Sequence, residues 1–129
     1  MFKDEHTKQA NRDPYEAEAE SYLNRQGLQT LVRNYSIKAG EIDLIMRDSD
    51  GTLVFVEVKF RKSTHYGSGL EAVTPQKIKK LTTTANYFLK SNNLANHQPC
   101  RFDIVSMSKS HHADQFTFDW LTNAIEQCY

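Results

Sequence analysis

The stretch Leu53-Val54-Phe55-Val56-Glu57-Val58-Lys59-Phe60 constrains the fold of this chain more than any other. Side chains of a strand alternate between its faces. Val54, Val56, Val58 and Phe60 therefore share one face, and Leu53, Phe55, Glu57 and Lys59 the other. Both faces begin apolar, which fits a central strand covered above and below. One face then turns charged, so the same strand carries two ionisable groups toward one end of its sheet. Immediately before it stands Asp48-Ser49-Asp50-Gly51, a hairpin turn signal, and before that a strand over residues 41–47.

The rest of the chain supplies the layers such a strand needs. Asp13-Pro14-Tyr15-Glu16 opens a helix: Asp13 can cap it, Pro14 suits its first position, and Glu16 falls where a capping box places its carboxylate. Tyr15, Ala19, Tyr22 and Leu23 form its apolar face, and Gly27 ends it. Residues 28–35 read as a strand, followed by a turn over 36–40. A loop containing Gly67 and Gly69 leads to a second helix opened by Thr74-Pro75, with Ile78, Leu81, Ala85, Phe88 and Leu89 as its apolar face. Residues 101–107 read as a fourth strand, and 116–125 as a strand-like piece followed by a short helix. The expected order is α-β-β-β-α-β plus a terminal appendage: a single α/β domain over 13–129 behind a flexible arm at 1–12.

Composition narrows the class. At 129 residues, 39% hydrophobic and 25% charged, the chain has the balance of a soluble domain able to bury its own core. Its longest apolar runs are far short of the roughly 20 residues a spanning helix needs, and the polar N-terminal residues show no secretory signal. The expectation is a cytoplasmic protein without membrane contact, with Cys100 and Cys128 as thiols. The formal net charge is zero, yet residues 59–90 carry seven lysines and arginines against one acid, Glu71. Lys77, Lys79 and Lys80 crowd the first turns of the second helix, where cations oppose the helix dipole at a cost of a few tenths of a kcal/mol each. An anionic partner is one reason to place them there.

Three acids and a lysine can converge. The midpoint between Asp43 and Glu57 falls at residue 50, inside the hairpin turn, so the two should lie opposite each other, about 5 Å apart. Like charges so placed repel unless a proton or cation intervenes. Two carboxylates, with water and a substrate phosphate completing the shell, suit Mg²⁺. Lys59 projects to the same face as Glu57, where an ammonium can offset phosphate charge or hold an attacking water. Glu16 completes the set if the first helix packs nearby. Taken singly, each has an ordinary explanation: Glu16 as half of a capping box, Glu57 with Lys59 as a surface ion pair, Asp43 as a solubilising charge.

Taken together, Asp43 and Glu57-x-Lys59 across a hairpin resemble the PD-(D/E)XK nuclease signature. More narrowly, Gly40-Glu41-Ile42-Asp43-Leu44-Ile45 followed by Val54-Phe55-Val56-Glu57-Val58-Lys59-Phe60-Arg61 is similar to the bacterial YraN family, which is endonuclease-like and akin to archaeal Holliday-junction resolvases. The likeness continues through Glu16, Ala19, Tyr22 and Leu23, through Arg33-Asn34 and Lys77, and through Arg101-Phe102-Asp103 and Asn123-Ala124. It implies a restriction-endonuclease-like α-β-β-β-α-β core, a mixed sheet with helices on both faces. It implies Mg²⁺ or Mn²⁺ held by Asp43, Glu57 and the Val58 carbonyl, with Lys59 as the catalytic lysine and Glu16 as the helix-borne acid. Lys77 becomes a phosphate contact, with Arg61, Lys62, Lys79 and Lys80 beside it on a basic stripe for nucleic acid, DNA in preference to RNA. Resolvase-like relatives act as dimers, so a homodimer is expected. The chain departs from the family at Arg12 and Tyr15, where relatives carry glycine; a bulky Tyr15 would narrow the approach to Glu16. The resulting expectation is a metal-dependent endonuclease for branched or structured DNA. The alternative is a non-catalytic nucleic-acid-binding module on the same fold, and a third reading is an adaptor working through protein contacts.

Overall fold

In the computed structural model, which describes residues 14–61, 74–94, 97–109 and 115–125, the elements run α1 (Pro14–Arg25), β1 (Gln29–Ile37), β2 (Gly40–Arg47), β3 (Leu53–Arg61), α2 (Pro75–Ser91), β4 (Cys100–Lys109) and β5 (Phe116–Ile125). Expectations for the arm at 1–12, the Asp13 cap, the Gly67 and Gly69 loop and Lys62 lie outside the described residues. The strands form one sheet in sequence order, β1-β2-β3-β4-β5. β3 and β4 are parallel and the other pairs antiparallel, so the sheet is mixed. α2 provides the crossover that a parallel pair requires.

β3 is central, and its alternation sorts the core as its sequence predicts. Leu53 and Phe55 join Leu81, Ala85, Phe88 and Leu89 of α2 on one face. Val54 and Val56 join Ala19 and Leu23 of α1 on the other. Phe88 is fully buried and meets Tyr35 and Phe55 edge-on, with ring centroids 5.2 and 6.2 Å away. Truncating such a residue costs about 3–5 kcal/mol.

The ends of α1 decide where it sits. Gly27 adopts φ +106°, the left-handed conformation glycine tolerates best. Its N–H bonds Asn24 O at 3.1 Å and that of Leu28 bonds Leu23 O at 3.0 Å, a Schellman stop. Buried Glu20 then ties the helix to β1: it accepts from Arg33 Nε at 2.9 Å and from Thr30 Oγ1 at 2.6 Å. α2 begins at the Thr74 cap, whose hydroxyl accepts from the Lys77 N–H at 3.2 Å.

Two expectations are corrected. Residues 116–125 form one strand with no helix; β5 pairs with β4 as far as Phe102↔Ile125. Buried Asp103 holds this course by accepting from Trp120 Nε1 at 2.9 Å and from the Asn123 N–H at 2.8 Å, with Asn123 at φ +51° where the register shifts. Cys100 is disulfide-bonded rather than a thiol, and the only other cysteine of the chain is Cys128. The return of β5 brings Ile125 back beside Phe102 near the start of β4, a proximity that spacing along the chain does not show.

Candidate active site

The site lies where the sheet forks. β2 pairs with β1 down to Gly40, and β3 pairs with β4 up to Arg61. Between themselves, β2 and β3 are joined only from Leu44↔Val56 to Arg47↔Leu53. Beyond Leu44 and Val56 they separate, and Asp43 and Glu57 are the first residues past the branch. Asp43 Oδ2 accepts from the Val58 N–H at 2.8 Å, so a side chain takes over a backbone donor that the parting strand leaves behind.

The fork opens a cleft of about 370 Å³ lined by Glu16, Asp43, Glu57, Val58, Lys59, Lys77 and Lys80, with Gly40, Glu41 and Leu81. Because it opens at the end of the sheet, side chains from both helical layers reach it. Glu16 comes from α1, and Lys77, Lys80 and Leu81 come from α2. The close approach of α2 depends on Gly40: a Cβ there would stand 2.7 Å from Thr84 Oγ1 and 3.2 Å from Lys80 O. Thr84 Oγ1 is itself held by its bond to Lys80 O at 2.7 Å, so it cannot readily give way.

The electrostatics are those of two neighbouring acids pushed apart in proton affinity. Burial raises the Asp43 carboxyl well above the usual range, and the facing Glu57 carboxylate and more distant Glu16 add to the rise. Burial also pushes Glu57 upward, but the hydrogen bond from Asp43 and the contact with Lys77 outweigh it and hold Glu57 below its usual value. The two carboxyl groups share a hydrogen bond, with Asp43 the better proton holder and Glu57 the better acceptor. Lys77 Nζ stands 2.8 Å and Lys59 Nζ 3.7 Å from the same atom, Glu57 Oε2. Burial and the neighbouring Lys77 lower the Lys59 ammonium. Lys77 is raised despite its burial, because it bonds Glu57.

A cation fits this donor set. Two adjacent carboxylates, Glu57 buried and Asp43 half-buried, repel each other, and a divalent ion between them relieves that repulsion. Among the described residues no three His, Cys, Asp or Glu side chains gather into a metal cage. The set is two carboxylates and a nearby carbonyl at Val58, the open oxygen site that suits Mg²⁺ or Mn²⁺ completed by water and phosphate.

Glu16, Asp43, Glu57, Val58, Lys59, Lys77 and Lys80 therefore come together as expected. Lys79 does not: it faces a second cleft of about 640 Å³ between α2 and β5, with Ile78, Thr82 and Ile125. Adjacent helix positions point about 100° apart, so three clustered lysines cannot share one cleft. Arg61 ends β3, outside the residues lining the site cleft. Tyr15 does not narrow the approach to Glu16. It stacks on Phe60 with centroids 4.0 Å apart and lies edge-on to Phe116 at 5.8 Å, on the α1 face of the sheet. Trp120 belongs to the same layer, edge-on to Tyr22. Glu41 and Leu81 were not singled out from the sequence. Leu81 stands four residues after Lys77 on one face of α2, and Glu41 two residues before Asp43 on β2; those spacings carry the signal.

The fold is α/β, a mixed five-stranded sheet between two helices, forked over a carboxylate pair with a lysine on the same strand. The chain belongs to the uncharacterised protein family UPF0102, the YraN family, which it matches over residues 15–107. A UPF0102 protein of Pseudomonas putida strain GB-1 is 44% identical over 111 residues, 86% of this chain and 89% of the relative. Another from Lachnoclostridium phytofermentans is 50% identical over 94 residues, 73% of this chain and 79% of the relative. Among solved structures, similarity is found to EndoMS in complex with double-stranded DNA (21% identity, TM-score 0.43) and to a repair endonuclease from Pyrococcus abyssi (18% identity, TM-score 0.41). These matches take in 78% and 81% of this chain but only 38% and 42% of those longer chains. No helix among the described residues is long and apolar enough to cross a membrane.

Proposed function

We propose that this protein is a divalent-metal-dependent endonuclease that hydrolyses phosphodiester bonds in DNA, with branched or otherwise structured DNA as its preferred substrate. The observation that carries this reading is the adjoining Asp43–Glu57 pair at the mouth of a lysine-lined cleft. Such a pair is costly to maintain and gains its purpose from a cation. Asp43, Glu57 and the Val58 carbonyl would hold Mg²⁺ or Mn²⁺, which supplies Lewis-acid stabilisation of charge developing on the phosphate. Lys59 extends from the same strand and, with its proton affinity lowered by burial, orients the attacking water and offsets charge on the scissile phosphate. Lys80 and Lys77 line the same cleft and hold the phosphate backbone. Glu16 reaches the cleft from the other layer and is placed to accept a hydrogen bond from that water. The choice of DNA, and of branched DNA, rests on the family resemblance of the central motifs.

The test is cleavage of single-stranded, duplex, flap and four-way-junction DNA and of RNA, with Mg²⁺, Mn²⁺ or EDTA, beside Lys59→Ala. Metal-dependent cutting of the structured DNAs, reduced at least about a hundredfold in Lys59→Ala, is expected. Salt-sensitive binding without any cutting would overturn the enzyme in favour of a binding module. Neither cutting nor binding would leave the adaptor.

A further inference from the structure

We propose that Lys77 is the internal counter-ion of this site: its ammonium neutralises Glu57 whenever no divalent cation does, and a cation must displace it to bind. This inference rests on the metal-dependent reading above and adds a competitor to it. Two lysines approach one oxygen of Glu57, but Lys77 at 2.8 Å forms the close ion pair while Lys59 stands back at 3.7 Å. Helix formation does not account for Lys77. It sits in the first turn of α2, which has no acidic residue, where a positive charge opposes the helix dipole. The ammonium is tethered by four methylenes to a rigid helix and so faces Glu57 at a high effective concentration. A free cation must outcompete it.

Displacement also has a destination. The Lys77 side chain is one third exposed and shares its cleft with Lys59 and Lys80, so an ammonium freed from Glu57 stays where a phosphate backbone would lie. Cation and polyanion then help each other. A cation on Glu57 releases Lys77 for phosphate, and phosphate draws Lys77 away from Glu57. Linkage makes the two effects equal in free energy.

Calorimetric titration of Mn²⁺ alone into the full chain tests the competition, comparing the parent with Lys77→Met, Lys80→Met and Asp43→Asn. Lys80→Met removes the same formal charge from the same cleft without an ion pair to Glu57. Lys77→Met should tighten Mn²⁺ binding about tenfold, a typical coupling, and Lys80→Met at most about twofold. Equal or weaker binding in Lys77→Met, or equal tightening in Lys80→Met, overturns the counter-ion. If Asp43→Asn leaves the parent's Mn²⁺ binding unchanged, the metal site itself is wrong; if it abolishes binding while Lys77→Met matches the parent, only the counter-ion falls. Should Lys77→Met fail to fold, judged by its melt in EDTA, Lys77→Gln takes its place. A second arm reads labelled duplex DNA by anisotropy before cleavage accumulates. Lys77→Met should lose about tenfold in affinity with Mn²⁺ and under about twofold in EDTA, where the parent's lysine is tied to Glu57. An equal loss in both conditions overturns the exchange.

Discussion

Two clusters of acids beside β3 have opposite character. On the neighbouring strand β4, level with Val56, Asp103 is 1% exposed and is surrounded by donors. Arg101 Nε reaches its two oxygens at 3.0 and 3.2 Å, and Trp120 Nε1 and the Asn123 N–H supply the rest. Arg101 extends the network to Asp48 in the β2–β3 turn, at 2.9 Å. At the fork of β2 and β3, Asp43 and Glu57 face each other, share a hydrogen bond and lean on a lysine from another element. A buried acid ringed by donors is satisfied by the fold itself and serves as a clasp. A buried acid opposite another acid is satisfied by something that comes and goes. The difference separates structure from chemistry where composition alone does not, since both clusters are acids beside basic residues.

Three substitutions test that contrast, in order of effect. Asp103→Ala should strip three donors of their acceptor and free the end of β5, costing about 3–5 kcal/mol, a fall of more than about 10 °C in melting temperature. A loss below about 1 kcal/mol in a denaturant titration would reduce the clasp to an ordinary surface pair. Gly40→Ala should cost about 1–3 kcal/mol by driving β2 against Thr84 and the Lys80 carbonyl. Most of that cost should return in the Gly40→Ala, Thr84→Ala double variant; a fully additive pair would show that close approach is not what Gly40 provides.

Asp43→Asn should be mildly stabilising in EDTA at pH 8, the smallest of the three effects, and should abolish the rise in melting temperature that Mn²⁺ gives the parent. An amide can accept from the Val58 N–H and donate to Glu57, as the protonated acid does. The sign follows from linkage. Folded Asp43 keeps its proton above the ordinary value of 3.8, so the metal-free parent loses stability as pH climbs from there through the raised folded value. Asparagine has no proton to lose, so its advantage should grow with pH across that window. A variant less stable than the parent at every pH would contradict a shared proton at this site.

Much of this was legible in residue patterns. The alternation in 53–60 placed both core faces, and the midpoint at residue 50 set Asp43 opposite Glu57, in line with the observed register. The break in alternation was not legible. Asn34, at φ +52°, stands opposite Asp43, so Val32 and Tyr35, three residues apart, enter the same core layer, as do Ile42 and Ile45 across from them. Period-two reasoning fails where one residue turns left-handed, and Asn34 gives little warning beyond the tolerance of asparagine for that region. The end of the terminal strand is not legible because Asn123-Ala124 has little strand preference of its own. Its course depends on Asp103, some twenty residues earlier.

The sequence by itself determined the order of elements from α1 to β4, the two-sided burial of β3 and the acids and lysine it shares with its hairpin partner. All of these follow from local periodicity and turn chemistry, which act over a few residues. Tertiary structure alone decided that β2 and β3 part beyond Leu44 and Val56, that Lys77 rather than Lys59 closes on Glu57, and that Lys79 turns to the other cleft. Those outcomes depend on where one rigid element comes to rest against another. Packing volume and the cost of burying charge set that position, and neither can be read from neighbours along the chain.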